Sequence, residues 1–210
     1  MPRNNNRHMR QRYSSDIDVS SLFDLSSEIQ KENLFSYFDE KKFFSAKFLQ
    51  TTSLKDKERT INGIIKATRK GAFKIEYLEP IKEIISADDT FFYKLDLELE
   101  QVDIVPREQF FQDTPINIFI SNIEELKKLY EVKTCEKKVN SLSCRLAPID
   151  ESSFIENLNI NFTGNKLKSF SYSDTFEQKV TIKLSEISWE KFDDSELVME
   201  IPQGIDIVYH

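Results

Sequence analysis

Histidine is almost missing from this 210-residue chain: there are two, His8 and His210. A Ser–His or Cys–His nucleophile, or a histidine-based metal centre, needs an imidazole held inside the fold, and neither residue falls in the patterned part of the sequence. Glycine is scarce as well, at four residues, so there is no Gly-rich phosphate loop and no GxGxxG. GxSxG and HExxH are absent too. No apolar run approaches the roughly 18 residues of a spanning helix, and no hydrophobic signal segment follows the basic start at Arg3, Arg7, Arg10 and Arg12. The net charge of −7 disfavours nucleic acid, and without a long basic patch an anionic membrane surface is also disfavoured. The acidic pairs Asp88–Asp89 and Asp193–Asp194 could in principle serve glycoside hydrolysis, but they read as solvated turns. No enzyme activity, cofactor or metal site is expected.

Only two cysteines occur, Cys135 and Cys144, and their spacing fits no CxxC or zinc pattern. The segment between them reads as strand, tight turn at Val139–Asn140, strand, which sets the two thiols opposite each other. They either bond across the turn, contributing roughly 2–3 kcal/mol in the chain-entropy model, or remain two partly buried free thiols. A bond would place the chain in an oxidising compartment.

Phenylalanine, by contrast, is plentiful, at 17 residues. That much aromatic area must be hidden, in a core or around a ligand. Residues 1–18 form a polar lead-in, and 19–210 read as a single domain. Leu22, Leu25 and Ile29 mark one helical face, extended by Phe35 and Phe38. Candidate strands then follow at 44–50, 60–68, 72–78, 82–86, 90–94 and 97–105 with no helix between them, which argues for an antiparallel meander. A second amphipathic helix begins at Thr114 as N-cap and Pro115 as first residue. It carries Ile116, Phe119, Ile120 and Ile123 on one face, continues through Leu126 and Tyr130, and allows a bend at Ser121–Asn122. Strands resume at 129–136, 140–146, 154–162, 166–174 and 179–187, with Phe154, Glu156, Leu158, Ile160 and Phe162 on one side, and a short strand at Leu197–Ile201 ends the series.

About eleven strands in one antiparallel sheet must curl. If the sheet stays open, its concave apolar face needs a cover, and the amphipathic helices are the only candidates. The expected fold is therefore mainly β with helices (α+β): a curved, unclosed half-barrel with an α-helical lid over a hydrophobic cavity. Lining candidates are Phe44, Phe48, Phe73, Ile75, Ile85, Phe91, Phe119 and Phe162, each of which also suits plain core packing.

Six segments in register resemble the LolA family, together covering roughly residues 22–208. Phe44-Ser45-Ala46-Lys47-Phe48-Leu49-Gln50 is similar to its F-x-A-x-F-x-Q strand. Gly63, Arg69, Phe73 and Pro80 follow its G…RP…F.W…P segment. Ile85-Ser86-Ala87-Asp88-Asp89 before Phe91-Phe92-Tyr93 stands where the family has V-S-D-G and L-W-x-Y. Asp96 to Val102 is similar to D-x-x-L-x-Q-V, Thr114-Pro115-Ile116-Asn117-Ile118-Phe119 to T-P-x-x-L-L, and Pro202-Gln203-Gly204-Ile205-Asp206-Ile207 to P-x-G-x-D-V. Departures are Lys70 in place of Pro, aliphatic Ile75 near the Trp position, and Asp88–Asp89 in place of D-G.

The resemblance implies a periplasmic lipoprotein carrier and chaperone, its signal peptide removed. It would bind lipoprotein acyl chains released by an inner-membrane ABC transporter and deliver them to an outer-membrane acceptor, LolB or its equivalent, acting as a monomer. Arg69 would hold the lid by hydrogen bonds to helical carbonyls, with Ile116, Phe119 and Ile120 in the lid itself. The alternative is a regulatory module of the same fold that senses lipid or lipoprotein. An acceptor would need a lipidated cysteine at its mature amino terminus, and no cysteine precedes Cys135.

Overall fold

The computed structural model describes residues 34–78, 80–110, 114–164 and 166–210. The polar lead-in and the Leu22–Leu25–Ile29 stripe lie outside them. Twelve strands build one sheet: β1 (Phe43–Leu54), β2 (Lys57–Thr68), β3 (Phe73–Tyr77), β4 (Glu83–Ala87), β5 (Phe91–Asp96), β6 (Gln101–Pro106), β7 (Tyr130–Lys138), β8 (Ser141–Pro148), β9 (Ile155–Thr163), β10 (Lys166–Asp174), β11 (Lys179–Ser188) and β12 (Asp206–Tyr209). Their order across the sheet is β12-β6-β5-β4-β3-β2-β1-β11-β10-β9-β8-β7, with β12 and β7 at separate edges. The sheet is thus curved and unclosed: two meanders, β1–β6 and β7–β11, joined along the β1/β11 pair. All pairs are antiparallel except β12 on β6.

Strand alternation puts Phe44, Ala46 and Phe48 of β1 on the buried concave face, in one cluster with Ile65, Phe73, Phe92, Leu158, Ile160, Phe162 and Phe170. A second, small cluster of Leu95, Val102 and Ile104 is covered by Met199 and Ile205, so the carboxyl-terminal segment crosses the outer face on its way to β12. A lone aliphatic anchor, Leu197, is buried there, and Lys66 pairs with Glu196.

Among the described residues four short helices accompany the sheet: α1 (residues 34–39), α2 (Arg107–Phe110), α3 (Asn117–Ile120) and α4 (Ile123–Leu129). The expected single helix from Thr114 is two, and the first begins only at Asn117. The break has a local cause. Ser121 is extended, and Asn122 starts α4 with a capping box, its side chain accepting from the Glu125 amide while the Glu125 carboxylate accepts from the Asn122 amide. Tyr130 then begins β7 rather than ending a helix.

Other expectations are corrected. Leu97–Glu100 form a turn, because the Asp96 carboxylate accepts the amides of Glu98 and Leu99, and β6 starts only at Gln101. The strand expected at Leu197–Ile201 is not one: Asp193 and Glu196 make a capping box that winds Asp194–Leu197 into a 3-10 turn, and the last strand is β12. Phe154 points to solvent at 59% exposure while Ile155 is buried, because a register shift at Ser173/Asp174 reverses the alternation at the start of β9. Among the described residues the sheet has twelve strands, in keeping with the eleven or so expected.

Candidate functional site

Arg69 leaves the end of β2 and turns inward. Its backbone amide donates to the Lys42 carbonyl at 3.0 Å. Nε donates to the carbonyls of Phe38 (3.0 Å) and Lys41 (3.2 Å), just beyond or at the end of α1. One Nη donates to the carbonyls of Ile118 (2.7 Å) and Ser121 (2.6 Å), at the end of α3. The last carbonyls of a helix lack partners within it, so a planar fork of donors suits two converging helix ends. The Phe38 ring lies 5.6 Å from the guanidinium. Burial pulls the Arg69 pKa down to about 10, with Asp39 opposing the shift, so the group stays charged at neutral pH. Its other Nη is buried with no hydrogen-bond partner among the described residues.

Beneath this clasp the two helices press aromatic rings onto the concave wall. Phe119 of α3 stacks on Phe44 at 4.1 Å between ring centres and meets Phe38 edge-on at 6.2 Å and Phe170 at 5.6 Å. Phe162 meets Tyr37 of α1 at 5.0 Å. Ile118 and Ile120 are buried alongside.

Next to this packed layer the described residues leave a small apolar cleft. The cleft, of about 120 Å3, lies over β3, β2, β1, β11 and β10, with Phe48, Ile65, Ile75, Phe170 and Leu184 among its apolar walls and Thr114–Ile116 along one side. Gly63 faces Phe48 across the β1/β2 pair, and a Cβ there would collide with the Phe48 ring and the Glu76 carbonyl oxygen, so glycine is what lets this ring lie flat against the sheet. Gln50, Tyr77 and Tyr172 supply the polar groups. Burial, with Glu83 and Tyr172 nearby, pushes Tyr77 up to about 12, and burial beside Asp174 raises Tyr172, so both hydroxyls are neutral donors at working pH. Such a surface can hold an apolar chain by contact area and orient one polar end; it offers no nucleophile–base pair. Among the described residues no group of three or more His, Cys, Asp or Glu could hold a metal ion.

The sequence-derived candidates divide three ways. Phe48, Ile75 and Ile116 line the cleft. Phe44, Phe73, Phe119, Ile120 and Phe162 are buried in the adjoining packed layer, with Ile85 half-buried against it. Phe91 is corrected: it belongs to the outer-face cluster with Leu95 and Val102, while its neighbour Phe92 is in the inner one, since adjacent strand residues face opposite ways. Gln50, Tyr77, Phe170, Tyr172, Ile182 and Leu184 were not anticipated. The alternation Phe170/Tyr172 and Val180/Ile182/Leu184 was the signal available for the last four of these. Cys135 and Cys144 are bonded across the β7/β8 pair, with Cα atoms 4.1 Å apart.

The LolA family profile, described as outer membrane lipoprotein carrier protein LolA, matches residues 39–198. The outer-membrane lipoprotein carrier protein of Hahella chejuensis is 24% identical over 169 residues, covering 79% of this chain and 81% of the relative. That of Chromohalobacter salexigens is 25% identical over 142 residues, 67% of each. Among solved structures, a LolA superfamily protein from Nitrosomonas europaea superposes with a TM-score of 0.51 at 10% identity, covering 80% of this chain and 97% of that one. An uncharacterized conserved protein from Thermus thermophilus gives 0.55 at 9% identity, covering 85% and 98%. These likenesses concern the fold. With the profile matched over residues 39–198, most of this chain, the chain belongs to the LolA family.

Proposed function

We propose that this protein is a non-enzymatic carrier that shields the acyl chains of lipoproteins in the periplasm, taking them from an inner-membrane ABC transporter and delivering them to an outer-membrane acceptor, LolB or its equivalent, as a monomer. Residues 19–210 act as one carrier domain. The observation that carries this reading is the pairing of an apolar cleft with a helical cover fastened by one arginine. The names of the relatives point the same way, and the Cys135–Cys144 bond suits an oxidising compartment.

The energetics fit. Each acyl CH2 kept from water is worth about 0.8 kcal/mol, so a lipoprotein's chains need a container to cross an aqueous space. A wall of Phe and Ile grips by area rather than by directional bonds, which leaves release to a greasier acceptor open. Ligand sites for drug-sized molecules span roughly 300–1,000 Å3, against about 120 Å3 here. Loading therefore requires the cover, with Phe119 and Ile120, to lift off Phe44 and Phe162, and Arg69 is the fastening that must give way.

Two measurements test the reading. Native mass spectrometry of the purified protein should detect lipid or lipoprotein adducts, and the protein should release a lipoprotein from proteoliposomes bearing the ABC transporter and pass it to the acceptor. No adduct and no release would refute the carrier. Cargo held but never passed on would favour the sensing module instead.

A further inference from the structure

The wall of the half-barrel has a gap. β10 pairs with β11 only from Ser169–Lys183 to Ser173–Lys179. Beyond Ser169, β10 keeps its strand pairing with β9 alone and meets the Tyr37 hydroxyl of α1 at the Leu167 backbone, while β11 follows β1 through a register shift at which Glu186 takes a positive φ of 50°. The two strands splay, and a cleft of about 550 Å3 opens between them beside α1. Its floor is apolar, with Tyr37, Leu184, Ile187 and Trp189. Its rim carries three lysines, Lys41, Lys166 and Lys168. Lys41 is fixed in place: Nζ donates to the Tyr37 carbonyl at 2.7 Å and lies 3.7 Å from the Tyr37 ring centre and 5.5 Å from that of Trp189. Lys166 and Lys168 are exposed, and neither is in an ion pair among the described residues. Among the described lining residues the carboxylate is Glu186, engaged by Lys47 at 2.8 Å, and Glu40 lies near Lys41. On a chain of net charge −7, this is a local reversal of sign laid over an aromatic floor. Leu184 borders both this gap and the inner cleft.

We propose that the gap is a second binding site, for the anionic head of an acyl-bearing lipid: a phosphate or carboxylate held by Lys41, Lys166 and Lys168, with its glycerol or first methylenes on Tyr37 and Trp189 and its chain running past Leu184 into the inner cleft. The chain end of this proposal rests on the acyl-binding reading above; the head end rests on the gap alone. Ammonium groups over an apolar floor attract an anion without dictating its geometry, and a lipid supplies charge and chain together.

The test compares two probes with the same acyl chain, lyso-phosphatidylglycerol (anionic) and lyso-phosphatidylcholine (zwitterionic), below their micellar concentrations at low salt, with inorganic phosphate as a third. The wild-type protein is expected to prefer the anionic lipid by roughly tenfold, and the preference should shrink as salt is raised. The double variant Lys166→Glu/Lys168→Glu should lose it while keeping its melting temperature; Lys166→Gln/Lys168→Gln should lie between. Equal binding of the two lipids by the wild type, or a preference that survives charge reversal, overturns the head site while leaving the acyl cleft standing. Binding of neither lipid overturns both. Phosphate binding as tightly as the anionic lipid reduces the gap to a simple anion site and overturns the proposal as stated.

Discussion

At the scale of single residues, Arg69 concentrates the most consequence in one side chain. Arg69→Leu removes four hydrogen bonds to the α1 and α3 ends but leaves the sheet untouched. The variant is expected to fold, by circular dichroism, with a loosened cover and stalled hand-over; transfer to the acceptor at the normal rate would rule out the fastening role. Gly63→Val would drive its side chain into the Phe48 ring, and loss of affinity for a lipid-like dye in the inner cleft is the expected readout. Tyr77 gives a pH dependence. Below pH 10.0 its hydroxyl is neutral in folded and unfolded chains alike; between there and about 12 only the unfolded chain ionises it, so stability falls as pH rises through that window. Tyr77→Phe should flatten part of this alkaline loss in denaturation curves taken from pH 9 upward. Arg69 was legible through the family resemblance, and the turn at Val139–Asn140 set Cys135 opposite Cys144, but only the structure shows that they bond. Residue identity was least legible where two like residues adjoin: Phe91-Phe92-Tyr93 offers two faces, and only strand register says that Phe92 points inward.

At the scale of elements, the strands of the first meander could be read from alternation because each has one buried face. What escaped were places where a short polar side chain overrides an apolar pattern. Asp96 turns Leu97–Glu100 into a loop, Asn122 divides α3 from α4, and Asp193 winds a helical turn where Leu197–Ile201 looked extended. The motif Asn-x-x-Glu at Asn122–Glu125 stood in the sequence as a start signal inside an already persuasive helical stripe. Asn122→Ala should cost about 1 kcal/mol, visible as a lower denaturation midpoint. β7 is an edge strand, exposing Glu131, Glu136, Lys137 and Lys138 as edge strands do, and the Cys135–Cys144 bond ties it to β8. Reduction, or Cys135→Ser with Cys144→Ser, is expected to lower stability by roughly 2–3 kcal/mol and to expose the β7 amides first in hydrogen exchange.

At the scale of the molecule, composition and spacing foretold an open sheet with a cover but not how tightly the cover sits: the stacking of Phe119 on Phe44 is a matter of three-dimensional fit that no periodicity encodes. Cargo should therefore be seen as increased hydrogen exchange in α3 and the segment before it, without change in β1 or β2. The joint between the meanders has a further consequence. Every other antiparallel contact in the wall links neighbours along the chain, and only β1 with β11 unites the two halves, bringing Lys47 to Glu186 across 139 positions. Ribbons made of local hairpins can zip early, but this closure must wait for the distant partner. A chain extended only as far as β6 would lack the β11 partner of β1 and the Leu158, Ile160, Phe162 and Phe170 side of its core. The strand that joins the two meanders is the same one whose departure from β10 leaves the lysine-rimmed gap, so the joint itself determines where the wall stays open.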